Sequence, residues 1–436
     1  MSDSTLLDGF DATDPSVYEK RMPHPEFAHL RTTAPVWWNP QPPHLGGFPD
    51  EGFWVVTKHR DVRDVSRRSN VFSSGRNGAI PRLEDGITSE QRELTKQVLI
   101  SRDAPEHTRL RGLVSKLFTP RAVDALRHAL EERAERIVGA AVDRGHGEFV
   151  REVAAELPMQ AIADLLGVPA RDRRKLFDWS NEMMGYDDPD FETKAQMALA
   201  QILGYSYEIA EDRRSSPTGD IISRLVNADI EGEALTPEQF GFFVVMLTVA
   251  GNETTRNATT MAMIAFLDNP EQWKLFKERR PATTADEVVR YTTPLICQQR
   301  TARIDTEING TAIAEGDRVV LMYASANFDE EVFENPMQFD ITRNPNPHLG
   351  FGGTGAHYCI GANLARMELS IVLGKIADRM PDISSLGEAE RFRSGWINGI
   401  KRWPADYLGM GAPTSSNSAA DRRPERHHQE GHNGND

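Results

Sequence analysis

Groups able to do chemistry crowd into one stretch of this 436-residue chain, residues 351–361, FGGTGAHYCIG. Glycines ahead of Cys359 let the backbone turn tightly and lie close to a flat ligand. The cysteine stands just before a helix-like segment, whose positive dipole end and free N–H groups stabilise a thiolate. A thiolate there can ligate a metal; the plainer reading is a buried structural thiol in a glycine-rich turn. A second cluster, Ala250-Gly251-Asn252-Glu253-Thr254-Thr255, interrupts an otherwise apolar segment. Gly and paired Thr are poor helix-interior residues and a buried Glu is costly, so this is a functional interruption or a kink with a satisfied polar cluster. Glu287 and Arg290 form an i,i+3 pair, and Thr284 with Glu287 has the spacing of a capping box. His107 and Arg111 fall on one helix face at i,i+4 spacing.

These residues need long helices to position them, and the pattern supplies them. A capping box with proline, Thr236-Pro237-Glu238-Gln239, opens a helix that runs until Asn269-Pro270, roughly thirty residues and about 45 Å. It is apolar nearly all round at its centre, so it belongs inside the core. Asp103, Pro105 and Glu106 are start signals for the helix carrying His107 and Arg111. Further helical patterning covers residues 131–142, 157–166, 194–212, 284–291 and 363–380, while GFWVVTK at 52–58 and the segments within 313–323 read as strands. No linker or repeat divides the chain, so one mainly α domain with a smaller β region is expected over residues 1–410. The polar stretch 411–436 lacks apolar periodicity and reads as a disordered tail, and its His427, His428 and His432 as solvated rather than metal-binding.

Bulk properties narrow the function. The formal charge of −15, from 50 basic and 65 acidic residues, argues against a nucleic-acid binder. Two cysteines, Cys297 and Cys359, make no disulfide framework and point to a reducing cytoplasm. The N-terminus has no signal-peptide pattern, and the most apolar stretch, residues 240–250, is too short to span a bilayer. A cytoplasmic monomer is the expectation.

The pattern Gly353-x-Gly355-x-His357-x-Cys359-x-Gly361 resembles the haem-binding loop of the cytochromes P450, specifically the bacterial three-component type. The family's phenylalanine normally lies seven residues before the cysteine; Phe351 lies eight before it, so one extra glycine, Gly352 or Gly353, is accommodated. The resemblance implies the P450 fold, with haem b between the long central helix and the cysteine-ligand helix, and Cys359 as the iron ligand. It implies that His107, Arg111, Arg300 and His357 bind the haem propionates, with Phe351 and Gly353 beside the cofactor. Glu287, Arg290 and Arg343 become a structural triad holding the cysteine segment. Glu253 and Thr254 become the acid and alcohol that relay protons during dioxygen activation. Glu in place of the commoner Asp is a tolerated variant, and the intact pair speaks against a gas or ligand binder without turnover and against a peroxide-using enzyme.

Within that family the stretches APVWWN, FGFFVVMLTVAGNETTRN and NPNPHLGFGGTGAHYCIGANLARM resemble the actinobacterial steroid 26-monooxygenases. This implies oxidation of the terminal methyl of a cholesterol or cholest-4-en-3-one side chain; oxidation of methyl-branched lipids is the nearest alternative. Ile80, Val98, Ile100, Met246, Val249, Ala250, Leu295, Ile296 and Trp396 are the expected pocket wall, with Cys297 bordering it as a small apolar residue. An apolar wall suits a sterol or a long lipid equally. No flavin or nicotinamide fingerprint is present, so a ferredoxin and an NAD(P)H-dependent ferredoxin reductase are implied as electron donors. Arg102, Arg109, Lys116 and Arg366 are candidates for a basic docking patch, the alternative being a solvated face.

Overall fold

The computed structural model describes residues 6–191, 195–218, 221–227 and 235–409, so the expected tail with its three histidines lies outside the described residues. Helices dominate the secondary structure, as the patterning predicts, and the strands form four sheets, the largest with five strands. That sheet orders Val36–Pro40, Gly52–Val56, Arg318–Met322, Cys297–Ala302 and Phe72–Ser73 side by side. Gly52–Val56 runs parallel to Arg318–Met322, pairing Val55 with Val320, and the other neighbours are antiparallel.

The central helix, Pro237–Asp268, is 32 residues long and therefore spans about 48 Å. Its start is the predicted capping box: Thr236 Oγ1 accepts from Gln239 N at 3.1 Å, and Thr236 N donates to Gln239 Oε1 at 3.2 Å. Around it pack the cysteine helix Ala362–Arg379 and the helices Glu156–Leu165, Arg173–Met184 and Ala195–Ser215, with Arg127–Arg144 packed on the outer side against the cysteine helix. Gly251 has a packing reason, because a Cβ there would run into the Ile162 side chain of Glu156–Leu165. The glycine the pattern marks as a helix weakness is thus where a neighbouring helix comes close.

Two start signals work differently from the expectation. The helix bearing His107 begins at Glu106, and the Asp103 carboxylate does not cap it. Asp103 instead accepts from Ser73 Oγ and from Ser74 N at 2.9 Å, and pairs with Arg303 at 2.7 Å. The helix Thr284–Thr292 has no side-chain cap. Thr284 Oγ1 donates to Pro281 O at 2.7 Å, which frees Glu287 for other partners.

Those partners are arginines. Arg290 grips Glu287 with two hydrogen bonds of 2.8 Å, and Arg343 Nε adds a third contact at 3.2 Å. The remaining Arg290 N–H groups donate to the carbonyls of Asn327, Pro336 and Gln338. Glu287 also accepts from Asp340 N at 2.9 Å and Asn346 Nδ2 at 3.1 Å. Glu287 and Arg290 are both fully buried, and a buried pair survives only when its leftover donors and acceptors are met in this way. The network ties the Glu–Arg helix to residues 327–346, the run of chain that leads into the cysteine loop.

Candidate functional site

The cysteine loop is built to press against its surroundings. Gly352 takes φ +91°, which favours glycine, and Thr354 takes φ +57°. Gly353 and Gly355 lie against the helix His59–Arg67, where a Cβ on either would collide with Ser66. Cys359 N donates to Phe351 O at 2.8 Å, closing the loop across eight residues. The extra residue is thus held by one left-handed glycine and one glycine packed on a helix. Phe351 stands with the Arg366 guanidinium 4.6 Å from its ring centre.

Cys359 lies deep in the molecule, yet its surface is open because it faces an internal cavity of about 610 Å³. The cavity runs between the cysteine loop and helix on one side and the middle of the central helix on the other. Burial pushes the thiol pKa up, opposed by the Gly361 N–H, Arg111 and Arg366. A bare thiolate is therefore disfavoured, and a bound cation would relieve it.

Four basic groups gather beside the thiol. The His107 and His357 rings stand 4.1 Å apart, His357 Nε2 meets Ser74 Oγ at 3.1 Å, and Arg111 Nη2 donates to Tyr358 O at 2.5 Å. His107, Arg111 and His357 line the cavity; Arg300 does not, being fully buried behind them and donating to Gln299 O at 2.7 Å. Burial first, and then mutual repulsion, lowers the pKa of His107 to about 4 and that of His357 to about 2. Arg111 and Arg300 are both lowered by burial. Neither arginine makes a salt bridge among the described residues. The nearest acid, Asp103, is committed to Arg303 and the Ser73–Gly75 turn. Buried cations without counter-ions are costly. The cluster therefore fits a ligand that brings carboxylates, and the thiol beside it fits the iron of the same ligand: a haem with its propionates.

Across the cavity, Thr254 Oγ1 donates to Ala250 O at 2.7 Å, one turn back along the helix. Ala250, Gly251, Glu253 and Thr254 all line the cavity. Glu253 is 1 % exposed and pairs with Arg256, which also donates to Asn181 Oδ1. Burial raises the Glu253 pKa, and Arg256 opposes the rise. Glu253 Oε1 has no protein partner.

Of the predicted wall, Ile80, Val98, Ile100, Met246, Val249, Ala250, Leu295 and Trp396 line the cavity. Ile296 does not: it is fully buried in the apolar core and its N–H goes to Trp396 O at 2.9 Å. Cys297 is likewise core, with Sγ 3.6 Å from Gly395 O, and does not line this cavity. Gly353 faces Ser66 rather than the cavity, while Phe351 and Gly352 do line it. In the proposed basic patch, Arg102 is paired with Glu106 at 3.2 Å and Arg366 with Asp286 at 2.8 Å. Arg109 and the exposed Lys116 make no ion pair among the described residues.

Residues outside the sequence expectation also line the cavity. Glu368 is 2 % exposed on the cysteine helix, and burial pushes its pKa up to about 8, with a hydrogen bond to Thr255 acting the other way. A charge among the consecutively buried Met367, Glu368 and Leu369 was its signal. Gln91 had one too, as the fourth residue of the Thr88 capping box. Gln196, on the first turn of Ala195–Ser215, had none.

The fold, the loop and the cation cluster define a haem-thiolate protein, and the comparisons agree. The profile of the cytochrome P450 family matches residues 282–379, and the chain belongs to that family. A cytochrome P450 of Mycobacterium marinum, solved in complex with pseudoionone, matches with TM-score 0.83 at 33 % identity, covering 89 % of this chain and 96 % of that one. More narrowly, the chain is 58 % identical over 407 residues to a steroid C26-monooxygenase of Rhodococcus jostii, covering 93 % of this chain and 86 % of the relative. A methyl-branched lipid omega-hydroxylase of Mycobacterium bovis is 40 % identical over 392 residues, covering 87 % and 90 %.

Proposed function

We propose that this protein is a haem-thiolate monooxygenase that hydroxylates, and oxidises further, the terminal methyl of a sterol side chain such as that of cholest-4-en-3-one. The observation that carries the reading is a single cavity bearing the Cys359 thiol, the Thr254 hydroxyl and an otherwise largely apolar wall. The higher identity to the steroid C26-monooxygenase than to the branched-lipid omega-hydroxylase supports the sterol over the lipid. Haem, when bound, supplies the activation of dioxygen and the attack on the C–H bond.

The chain's own residues do the rest. Cys359 would hold the haem iron through its thiolate, with the Gly361 N–H and the Arg111 and Arg366 charges favouring its ionised form. Arg111, His107 and His357 would hold the propionates, and the buried Arg300 would add positive charge. Thr254 is placed to donate its proton into the cavity, exchanging its bond to Ala250 O for one to a reacting oxygen. Glu253 is the acid that re-supplies it, held by Arg256 until the side chain turns. The apolar wall excludes water and confines the body of the sterol by shape.

Among the described residues no helix is long and apolar enough to cross a membrane. Electrons come, in this reading, from a ferredoxin and its NAD(P)H-dependent reductase. Arg109 and Lys116, on the helix that carries Arg111 and just beyond its end, are the cations free to meet an acidic donor protein.

Two measurements test the proposal. The ferrous protein with carbon monoxide is expected to show its Soret band at about 450 nm, and a band at about 420 nm in folded protein contradicts thiolate ligation. Cholest-4-en-3-one is expected to shift the ferric haem to high spin at lower concentration than a methyl-branched fatty acid does. The reverse order makes the protein a lipid hydroxylase.

A further inference from the structure

We propose that the side-chain amides of Gln91 and Gln196 form a recognition point for the ring-A oxygen of the sterol, and that this point offers a hydrogen-bond donor, the one kind of partner a 3-oxo group can use. The proposal rests on the sterol reading above.

The helix Ser89–Thr95 opens with a capping box. Thr88 N donates to Gln91 Oε1 at 2.8 Å, and Gln91 N donates to Thr88 Oγ1 at 3.3 Å. A backbone N–H can only donate, so Gln91 must turn its oxygen to Thr88 and its –NH₂ outward. That –NH₂ donates to Gln196 Oε1, on the first turn of the facing helix Ala195–Ser215. Polarity is thereby passed from one amide to the next. The free end is Gln196 Nε2, which carries two N–H donors and has no acceptor among the described residues.

Both amides line the cavity, next to Ile87, Leu94 and Leu199. Both are half-buried, reached from solvent as well as from the cavity. Among other polar groups lining the cavity, Tyr186 Oη donates to Arg82 O at 2.7 Å, and Thr95 Oγ1 to Arg92 O at 2.8 Å. Glu84 also lines the cavity, but an ionised carboxylate only accepts and cannot bind a ketone oxygen. A sterol whose side-chain methyl lies at the Cys359 end leaves ring A as the opposite end of a rigid body, and the C3 oxygen is its polar atom. Holding that oxygen sets how deep the terminal methyl reaches, which bears on the choice between a primary C–H bond and the weaker secondary ones beside it.

The test uses the haem-loaded full chain and the spin-state shift produced by cholest-4-en-3-one, cholesterol and the oxygen-free cholest-4-ene. For the native protein the ketone should bind about five- to tenfold more tightly than the hydrocarbon, the worth of one net hydrogen bond. Gln196→Leu should bring the ketone down to the hydrocarbon's affinity and leave the hydrocarbon unchanged. Gln196→Glu keeps the shape but offers acceptors only, which an alcohol can use and a ketone cannot, so it should shift the ketone-to-alcohol affinity ratio toward the alcohol. Gln91→Leu should weaken the ketone preference by a smaller factor, because Gln196 then loses its orienting partner. The carbon monoxide spectrum of each variant verifies an intact haem site. A ketone-to-alcohol ratio that is the same in the native protein and in Gln196→Glu, with sterols still bound, overturns the proposal alone. Absence of any sterol-induced shift in the native protein overturns the sterol reading, and this proposal with it.

Discussion

Glu368→Gln should make the protein more stable, by an amount that depends on pH. Glu368 is 2 % exposed, its Oε1 has no protein partner, and burial pushes its pKa from the ordinary 4.5 up to about 8. Between those values the unfolded chain has released the proton and the folded protein still holds it. The folded state therefore binds more protons there, and stability falls as pH rises. Below the unfolded pKa the penalty is absent; above the folded value it is complete. At pH 7 the window crossed is about 2.5 pH units at about 1.4 kcal/mol each, or about 3 kcal/mol. Glutamine is neutral throughout and escapes this term. Urea unfolding of both forms, followed by far-UV circular dichroism from pH 5 to pH 8, yields the difference, and other titrations cancel in it. It should be small at pH 5 and widen by about 1.4 kcal/mol per unit until it levels near pH 8. A difference that stays flat across this range refutes the reasoning, since it means that Glu368 ionises in the fold as it does in water.

Thr254→Ala should leave thermal stability within about 0.5 kcal/mol, because the Thr254 hydroxyl only bonds back to Ala250 O, yet should divert electrons from product to peroxide. Unchanged coupling, read as product formed per NADH consumed, removes the relay role. Arg290→Ala leaves Glu287 buried with Arg343 as its remaining guanidinium, and should cost about 3–5 kcal/mol along with a drop in haem content per chain. Arg111→Met should act in opposite directions on the two forms. Apoprotein should gain stability through relief of the crowded cations, while the loaded protein should lose haem faster to apomyoglobin. Equal effects on both forms contradict the assignment of Arg111 to a carboxylate-bearing ligand.

What the sequence shows about this site, and what it hides, follows from what spacing can encode. Helical spacing is rigid, so His107 and Arg111 at i,i+4 do reach the same cavity, and the Thr236 capping box places the start of the central helix correctly. Extended and looped segments carry less information. Adjacent residues in extended chain tend to face opposite ways, and composition does not say which of Leu295 and Ile296 reaches the cavity. Leu295 lines it and Ile296 joins the core. A glycine in a loop signals a close approach without naming the neighbour. Gly352 turns toward the cavity, whereas Gly353 gives room to Ser66, 287 positions away in sequence but adjacent in space. The capping signals fail where a tertiary partner competes for the same oxygen. Asp103 is drawn to Arg303 and the Ser73–Gly75 turn, and Glu287 to two arginines, because a guanidinium offers a carboxylate more than one helix N–H can. Misreading those two acids as caps cost nothing in the fold prediction, but it concealed what they do. Asp103 spends its ion pair on Arg303 and acts on His107 and Arg300 only from a distance, and that leaves the cluster in need of the carboxylates of a ligand.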